Sequence, residues 1–175
     1  MKYKNIFNTP EYFILDVDGV LTDGKLYYSE KGKIIKAFSV DDHDALKFLQ
    51  KFMKVKVITA DSLGFEISKK RIQDDMKMEL TLVGVRERKT WMSETFDLSK
   101  TIYMGDGVFD PLIFKEVMYS IAPNNALNET RSKANFVTKS KSGDRAVAEA
   151  CLHILGKFFR VRNKDLYDLY FTQQV

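Results

Sequence analysis

Apolar residues in this chain fall into short runs separated by amphipathic stretches. Residues 12–17 are apolar and aromatic and end in acids, which predicts a buried strand. Comparable runs at 55–59, 80–83, 101–104, 119–122 and 135–137 predict further strands. Between the first two, residues 42–52 place Ala45, Leu46, Phe48, Leu49 and Phe52 at helical spacing, with Asp41 or Asp42 as the cap. Helices are also predicted over 62–76 (capped by Asp61 or Ser62), over 86–96, just after Pro111, and over 144–159. Residues 24–28 and 33–40 predict two strands around a turn at Glu30-Lys31-Gly32, where Gly32 supplies the positive φ of a hairpin.

Strands alternating with helices predict an α/β fold, a Rossmann-like doubly wound parallel sheet with helices on both faces. Ligands in such sheets bind beyond the C-terminal strand ends. Asp16 and Asp18, Thr59, and Asp106 each stand at such an end, so residues distant in sequence are expected to meet at one edge. Residues 1–159 are expected to form one domain, with a hairpin flap at about 24–40. The tail 160–175 mixes basic residues with Leu166, Tyr167, Leu169, Tyr170 and Phe171. It predicts either a helix or loose segment of the same domain, or a subunit contact.

Composition narrows the partners. The 175 residues suit one domain, and 45% hydrophobic residues suffice for a core. A net charge of +4 is mildly basic, but the lysines and arginines are scattered and no basic–aromatic stripe marks a nucleic-acid surface. A small anionic substrate accounts for the balance equally well. Cys151 is the single cysteine, lies in an apolar run and is expected to be a small core residue. No apolar stretch reaches 18 residues and the first ten residues lack the core of a signal peptide. The expected setting is the cytoplasm, with no membrane partner.

Two carboxylates spaced i, i+2 at a strand end repel unless a cation or proton intervenes, and Mg²⁺ favours oxygen ligands and phosphates. A bare Asp-x-Asp reads first as a strand end with solvated acids. The longer string Asp16-Val17-Asp18-Gly19-Val20-Leu21-Thr22-Asp23-Gly24 resembles the first motif of the haloacid dehalogenase superfamily in its small-phosphatase branch. The resemblance implies that Asp16 is a nucleophile taking the phosphoryl group. It makes Asp18 the general acid/base, with a main-chain carbonyl on Mg²⁺, and lets Gly19 leave room for phosphate. Val57-Ile58-Thr59-Ala60 resembles the second motif, in which Thr59 donates to the phosphoryl oxygens with Ala60 beside it. Relatives often read Thr-Gly-Arg there, and this chain has Asp61 instead of the arginine.

Gly84-Val85-Arg86-Glu87-Arg88-Lys89 resembles the third motif, whose lysine offsets the phosphate charge. Strict spacing puts Arg88 on that position. We assign it to Lys89, one residue later, and keep Arg88 as the alternative and as a phosphate-side residue. Gly105-Asp106-Gly107-Val108-Phe109-Asp110 resembles the fourth motif, which makes Asp106 a Mg²⁺ ligand alongside Asp16 and Asp18. Asp110 would orient the lysine or a ligand from behind.

There is room for a hairpin but for no large cap domain. Together with Phe38-Ser39-Val40 and Ser142-Gly143-Asp144-Arg145-Ala146-Val147, the motifs resemble the 3-deoxy-D-manno-octulosonate 8-phosphate phosphatase group over roughly residues 10–156. That group implies a homotetramer in which a neighbour closes the site, and an acidic sugar phosphate as substrate. His43 and Arg145 stand where relatives carry glycines; His43 is either a polar helix-start residue or faces the substrate, and Arg145 faces either solvent or a substrate carboxylate. Phosphatases for other small esters, and a non-catalytic binding or regulatory protein of the same fold, are the alternatives.

Overall fold

The computed structural model describes residues 9–162 together with 165, 166 and 168. Six strands form one parallel sheet: β1 (Tyr12–Asp16), β4 (Lys54–Thr59), β5 (Leu80–Leu82), β6 (Thr101–Met104), β7 (Tyr119–Ala122) and β8 (Phe136–Val137). Their order is β5-β4-β1-β6-β7-β8, with β1 in the middle. β2 (Tyr27–Ser29) and β3 (Gly32–Ile35) form the separate antiparallel hairpin, and Gly32 has φ of +115° at its turn. Both hairpin strands are shorter than the sequence pattern suggests.

Strand alternation sorts the core into two layers. Phe13 and Leu15 of β1, with Val57, Ile102, Met104 and Ile121, pack on one face of the sheet. The covering helices there are α1 (Val40–Leu49) and α6 (Ala146–Phe159), which pack on each other. Ile14, Ile58, Tyr103 and Ala122 point the other way. They meet Met92 of α3 (Arg88–Thr95) and Ile113 and Phe114 of α4 (Asp110–Phe114). Each buried leucine- or isoleucine-sized side chain contributes roughly 1.5–3 kcal/mol, so the two apolar layers drive the fold. Cys151 is buried on α6, as a core residue.

Helix starts depart from expectation where acids are drawn elsewhere. α1 begins after Ser39, and Asp42 does not cap it. The Asp42 carboxylate instead accepts the Ala148 N–H at the start of α6, 2.8 Å away, joining the two helices. The helix after β4 begins at Phe65 rather than 62; Asp61 Oδ1 accepts the Gly64 N–H just ahead of it at 3.0 Å, and the same carboxylate binds lysines from the hairpin. This helix, α2 (Phe65–Lys69), runs on through a wider coil, Lys70–Asp75. A polar helix, α5 (Asn128–Lys133), has no counterpart in the hydrophobic pattern.

Among the described residues no helix is long and apolar enough to cross a membrane. Most of the tail 160–175 lies outside the described residues; Leu166 packs against the core.

Candidate active site

β1, β4 and β6 are adjacent in the sheet and parallel, so their C-terminal ends open onto one crevice. Asp16 ends β1 in extended backbone, and the chain then makes a tight turn through Val17–Leu21. Gly19 occupies the left-handed region there, with φ of +82°. A Cβ on Gly19 would lie 2.0 Å from Asp106 Oδ2, so the missing side chain is the space into which the Asp106 carboxylate fits. Thr22 closes the turn, its N–H bonded to the Val17 carbonyl at 3.0 Å.

Asp16, Asp106 and Asp110 each bring a carboxylate oxygen within 4.8 Å of the others. Burial pushes the Asp16 carboxyl up to about 6, with repulsion from Asp110 adding and Arg88 opposing. Burial and the neighbouring Asp16 and Asp110 push Asp106 up to about 7. Such an all-oxygen cluster, held at the expense of its own repulsion, fits a small hard dication. Asp110 is committed to protein donors: Oδ1 accepts from the Tyr103 hydroxyl at 2.9 Å and Oδ2 from the Gly107 N–H at 2.8 Å. Asp16 is likewise engaged on both oxygens, by the Val17 N–H at 2.8 Å and by Arg88 at 2.7 Å. The Asp18 side chain turns aside to Lys36 and Thr59.

The cation on Asp16 is Arg88. Its Nη1 donates to Asp16 Oδ2 at 2.7 Å and to Tyr103 Oη at 3.0 Å, and lies 3.6 Å from Asp110 Oδ1. Burial opposes its charge, but Tyr103, Asp16 and Asp110 outweigh that and hold the guanidinium protonated. Lys89, our sequence-based choice, does not reach the site. It projects from the outer face of α3, half exposed, and pairs with Glu116 at 3.0 Å. One residue along a helix is a rotation of about 100°, and α3 begins with Arg88 facing inward.

Thr59 stands at the end of β4 as expected; its hydroxyl accepts the Asp61 N–H at 3.1 Å and donates to Asp18 Oδ2 at 3.2 Å. A pocket of about 290 Å³ is lined by Asp16, Asp18, Leu26, Lys33, Ala60, Asp61, Val85 and Arg88. Ala60 and Arg88 therefore face it, whereas His43 and Arg145 are not in its lining. His43 lies near Arg71 and Asp75 of the coil that follows α2. Arg145 is exposed, pairs with Asp144 and sits in the left-handed region (φ +71°) just before α6.

Three residues of the site carry no signal in the sequence pattern. Tyr103 lies in a buried strand, yet its hydroxyl links Arg88 to Asp110. Lys33 and Lys36 of the hairpin converge on Asp61. These contacts hold the Asp61 carboxyl at about 2 against the effect of burial. The residue standing where relatives have arginine thus seats the hairpin on the sheet edge.

Comparison with known proteins agrees with this geometry. The family model of haloacid dehalogenase-like hydrolases matches residues 88–151. The chain is similar to 3-deoxy-D-manno-octulosonate 8-phosphate phosphatase of Haemophilus influenzae, at 31% identity over 147 residues, 79% of each chain. The cobalt-bound structure of the Haemophilus influenzae phosphatase superposes with a TM-score of 0.73 at 29% identity, covering 85% of this chain and 88% of that one. The Moraxella catarrhalis phosphatase, in complex with magnesium, phosphate and 3-deoxy-D-manno-octulosonate, gives 0.78 at 26% identity and 94% of each chain.

Proposed function

We propose, since this chain belongs to the haloacid dehalogenase-like hydrolases, that it is a Mg²⁺-dependent phosphatase of acidic sugar phosphates that works through an aspartyl-phosphate on Asp16. The observation that carries this reading is the meeting of Asp16, Asp106 and Arg88 at one strand edge. A buried carboxylate there lies against both a fixed guanidinium and a second acid. Mg²⁺, held by Asp16, Asp106 and the Asp18 main-chain carbonyl, would neutralise the carboxylates and the phosphate oxygens. Arg88 keeps Asp16 ionised and aimed, and adds positive charge where the phosphoryl group arrives. An Asp16 oxygen bonds to phosphorus as the ester oxygen departs with a proton from Asp18. Water then attacks the phosphoryl group and returns a proton to Asp18, restoring Asp16.

The acidic-sugar assignment is supported by the relatives' named substrate and by the lysine-bearing hairpin over the pocket. A homotetramer fits the hairpin, which exposes Leu26, Tyr27, Tyr28, Ile34 and Ile35. Burying such a surface against a neighbour would also close a site that has no cap domain.

Phosphate release across acidic and neutral sugar phosphates, with Mg²⁺ and with chelator, tests the reading. Turnover is expected with Mg²⁺, to be lost with chelator, and to favour an eight- or nine-carbon acidic sugar phosphate. A preference for another ester would remove the substrate assignment and keep the chemistry. No turnover of any ester would bring forward the non-catalytic binding protein.

Gly19→Ala gives a second check, because its methyl group would displace the Asp106 carboxylate. Mg²⁺ affinity measured by calorimetry is expected to fall about 10–100-fold. Unchanged affinity would show that Asp106 is not a ligand.

A further inference from the structure

Lys36 follows β3, and its side chain is fully withdrawn from solvent, at 0% exposed. A buried ammonium requires acceptors for its three hydrogens. Here Nζ lies 2.8 Å from Asp18 Oδ1 and 3.0 Å from Oδ2, 2.9 Å from Asp61 Oδ2 and 3.0 Å from Ser68 Oγ. Asp18 Oδ2 and Ser68 Oγ accept hydrogen bonds from it, and the carboxylates of Asp18 and Asp61 pair with its charge, so the partners come from the turn after β1, the loop after β4 and the helix α2. Charge compensation of Asp16 and of phosphate is already supplied by Arg88, so that function leaves Lys36 unexplained. Its contacts with Asp18 explain it. A short aspartate side chain at a loop position has several rotamers open to it. Lys36 and the Thr59 hydroxyl both donate to Asp18 Oδ2, and the ammonium also lies against Oδ1 as an ion pair, which selects one rotamer. Asp61 gives the ammonium a second anionic partner, which stays in place whichever form Asp18 takes during turnover. Lys33 binds the same Asp61 carboxylate, so the hairpin and the Asp18 rotamer are set by one cluster.

We propose that Lys36 is a positioning residue for proton transfer by Asp18, and that it couples this orientation to the seating of the hairpin through Asp61. The inference rests on the phosphatase reading above. In the step most dependent on it, the oxygen of water bonds to phosphorus and the bond from phosphorus to the Asp16 oxygen breaks. Its electron pair returns to Asp16 as carboxylate, and the water's proton passes to Asp18. In the next turnover that proton goes to the departing ester oxygen.

Lys36→Met tests this with two esters in the Mg²⁺-loaded protein. The leaving group of p-nitrophenyl phosphate departs without a proton, and that of an alkyl phosphate does not. With p-nitrophenyl phosphate, kcat is expected to fall about 100-fold while kcat/KM stays within a few-fold, because kcat/KM ends at leaving-group departure. A burst of nitrophenolate equal to the enzyme concentration should precede the slow phase. With the alkyl phosphate, kcat/KM should fall about 100-fold as well. Equal losses in kcat and kcat/KM for both esters, or no loss, would overturn the inference and leave the phosphatase reading standing. A wild-type protein that hydrolyses no ester would overturn both. If Lys36→Met does not fold, Ser68→Ala removes one contact on the ammonium, and the same split at smaller amplitude is expected; its absence counts equally against the proposal.

Discussion

Asp16→Asn is expected to abolish phosphate release, by a factor on the order of 10⁴ or more, while the protein stays folded. An amide oxygen does not attack phosphorus to give a hydrolysable acyl phosphate, so the covalent route closes. The local geometry sharpens the expectation. Asp16 Oδ1 accepts the Val17 N–H at 2.8 Å and Oδ2 accepts from Arg88 at 2.7 Å. Asparagine can satisfy one of these donors, and its NH₂ then faces the other. That cost is offset, because the native carboxylate is itself unfavourable without metal. Its folded pKa of about 6 lies above the ordinary aspartate value of 3.8. The metal-free fold therefore binds this proton more tightly than the unfolded chain does. The group's contribution to stability is greatest below the unfolded value and declines as pH rises through about 6. At pH 8 with chelator, the variant should be at least as stable as the wild type, by roughly 1–3 kcal/mol, in thermal or denaturant unfolding. Full activity in Asp16→Asn would rule out the covalent mechanism. A collapse of the fold at pH 8 would show that Asp16 is a structural anion.

The parts of the site legible in the sequence are those set by strand ends. Asp16, Asp18, Thr59 and Asp106 each follow an apolar run, and a parallel sheet brings such ends together whatever the loops do. What stayed hidden depends on rotation and on long-range contact. Arg88 and Lys89 differ by one helical step, and nothing in the sequence pattern says which turns inward. The buried Met92, four residues after Arg88 on α3, is consistent with an inward Arg88, but the pattern gives no exact start for that helix. Lys33 lies in, and Lys36 just after, a short half-exposed strand, where lysine ordinarily means solvent. Only the fold brings Asp61 and Asp18 beneath them. Tyr103 resembles any core aromatic until its hydroxyl is found between Arg88 and Asp110. Asp42 is a good cap by type, yet its carboxylate is bound to a buried donor at the start of α6, while Asp61 divides its carboxylate between the Gly64 N–H just ahead of α2 and the lysines of the hairpin. α5 went unseen because its six residues include no large apolar side chain, and helical periodicity cannot register without one.

The Arg88 assignment leads to the second large effect. Arg88→Met should lower phosphate release about 10²–10³-fold, since it removes the fixed positive charge next to the nucleophile. Arg88→Lys should recover part of that loss. A lysine ammonium brings a point charge to Asp16 but not the planar guanidinium that donates to Asp16 and Tyr103 together, so a deficit of about 10-fold should remain. Lys89→Ala should leave turnover within about two-fold, because Lys89 lies in an exposed ion pair with Glu116, away from Asp16. Stability has to be read beside activity. Removing a buried cation leaves Asp16 and Asp110 without their partner, and breaking a buried pair costs about 3–5 kcal/mol. Arg88→Met is therefore also expected to melt lower in the metal-free form, and to regain part of the difference when Mg²⁺ takes over the neutralisation of Asp16. Melting curves with Mg²⁺ and with chelator separate the two effects. If Lys89→Ala lost as much activity as Arg88→Met, the charge on the phosphate would come from Lys89. The inward face of α3 would then be a structural ion pair, and the one-residue shift first inferred from the sequence would describe the working enzyme.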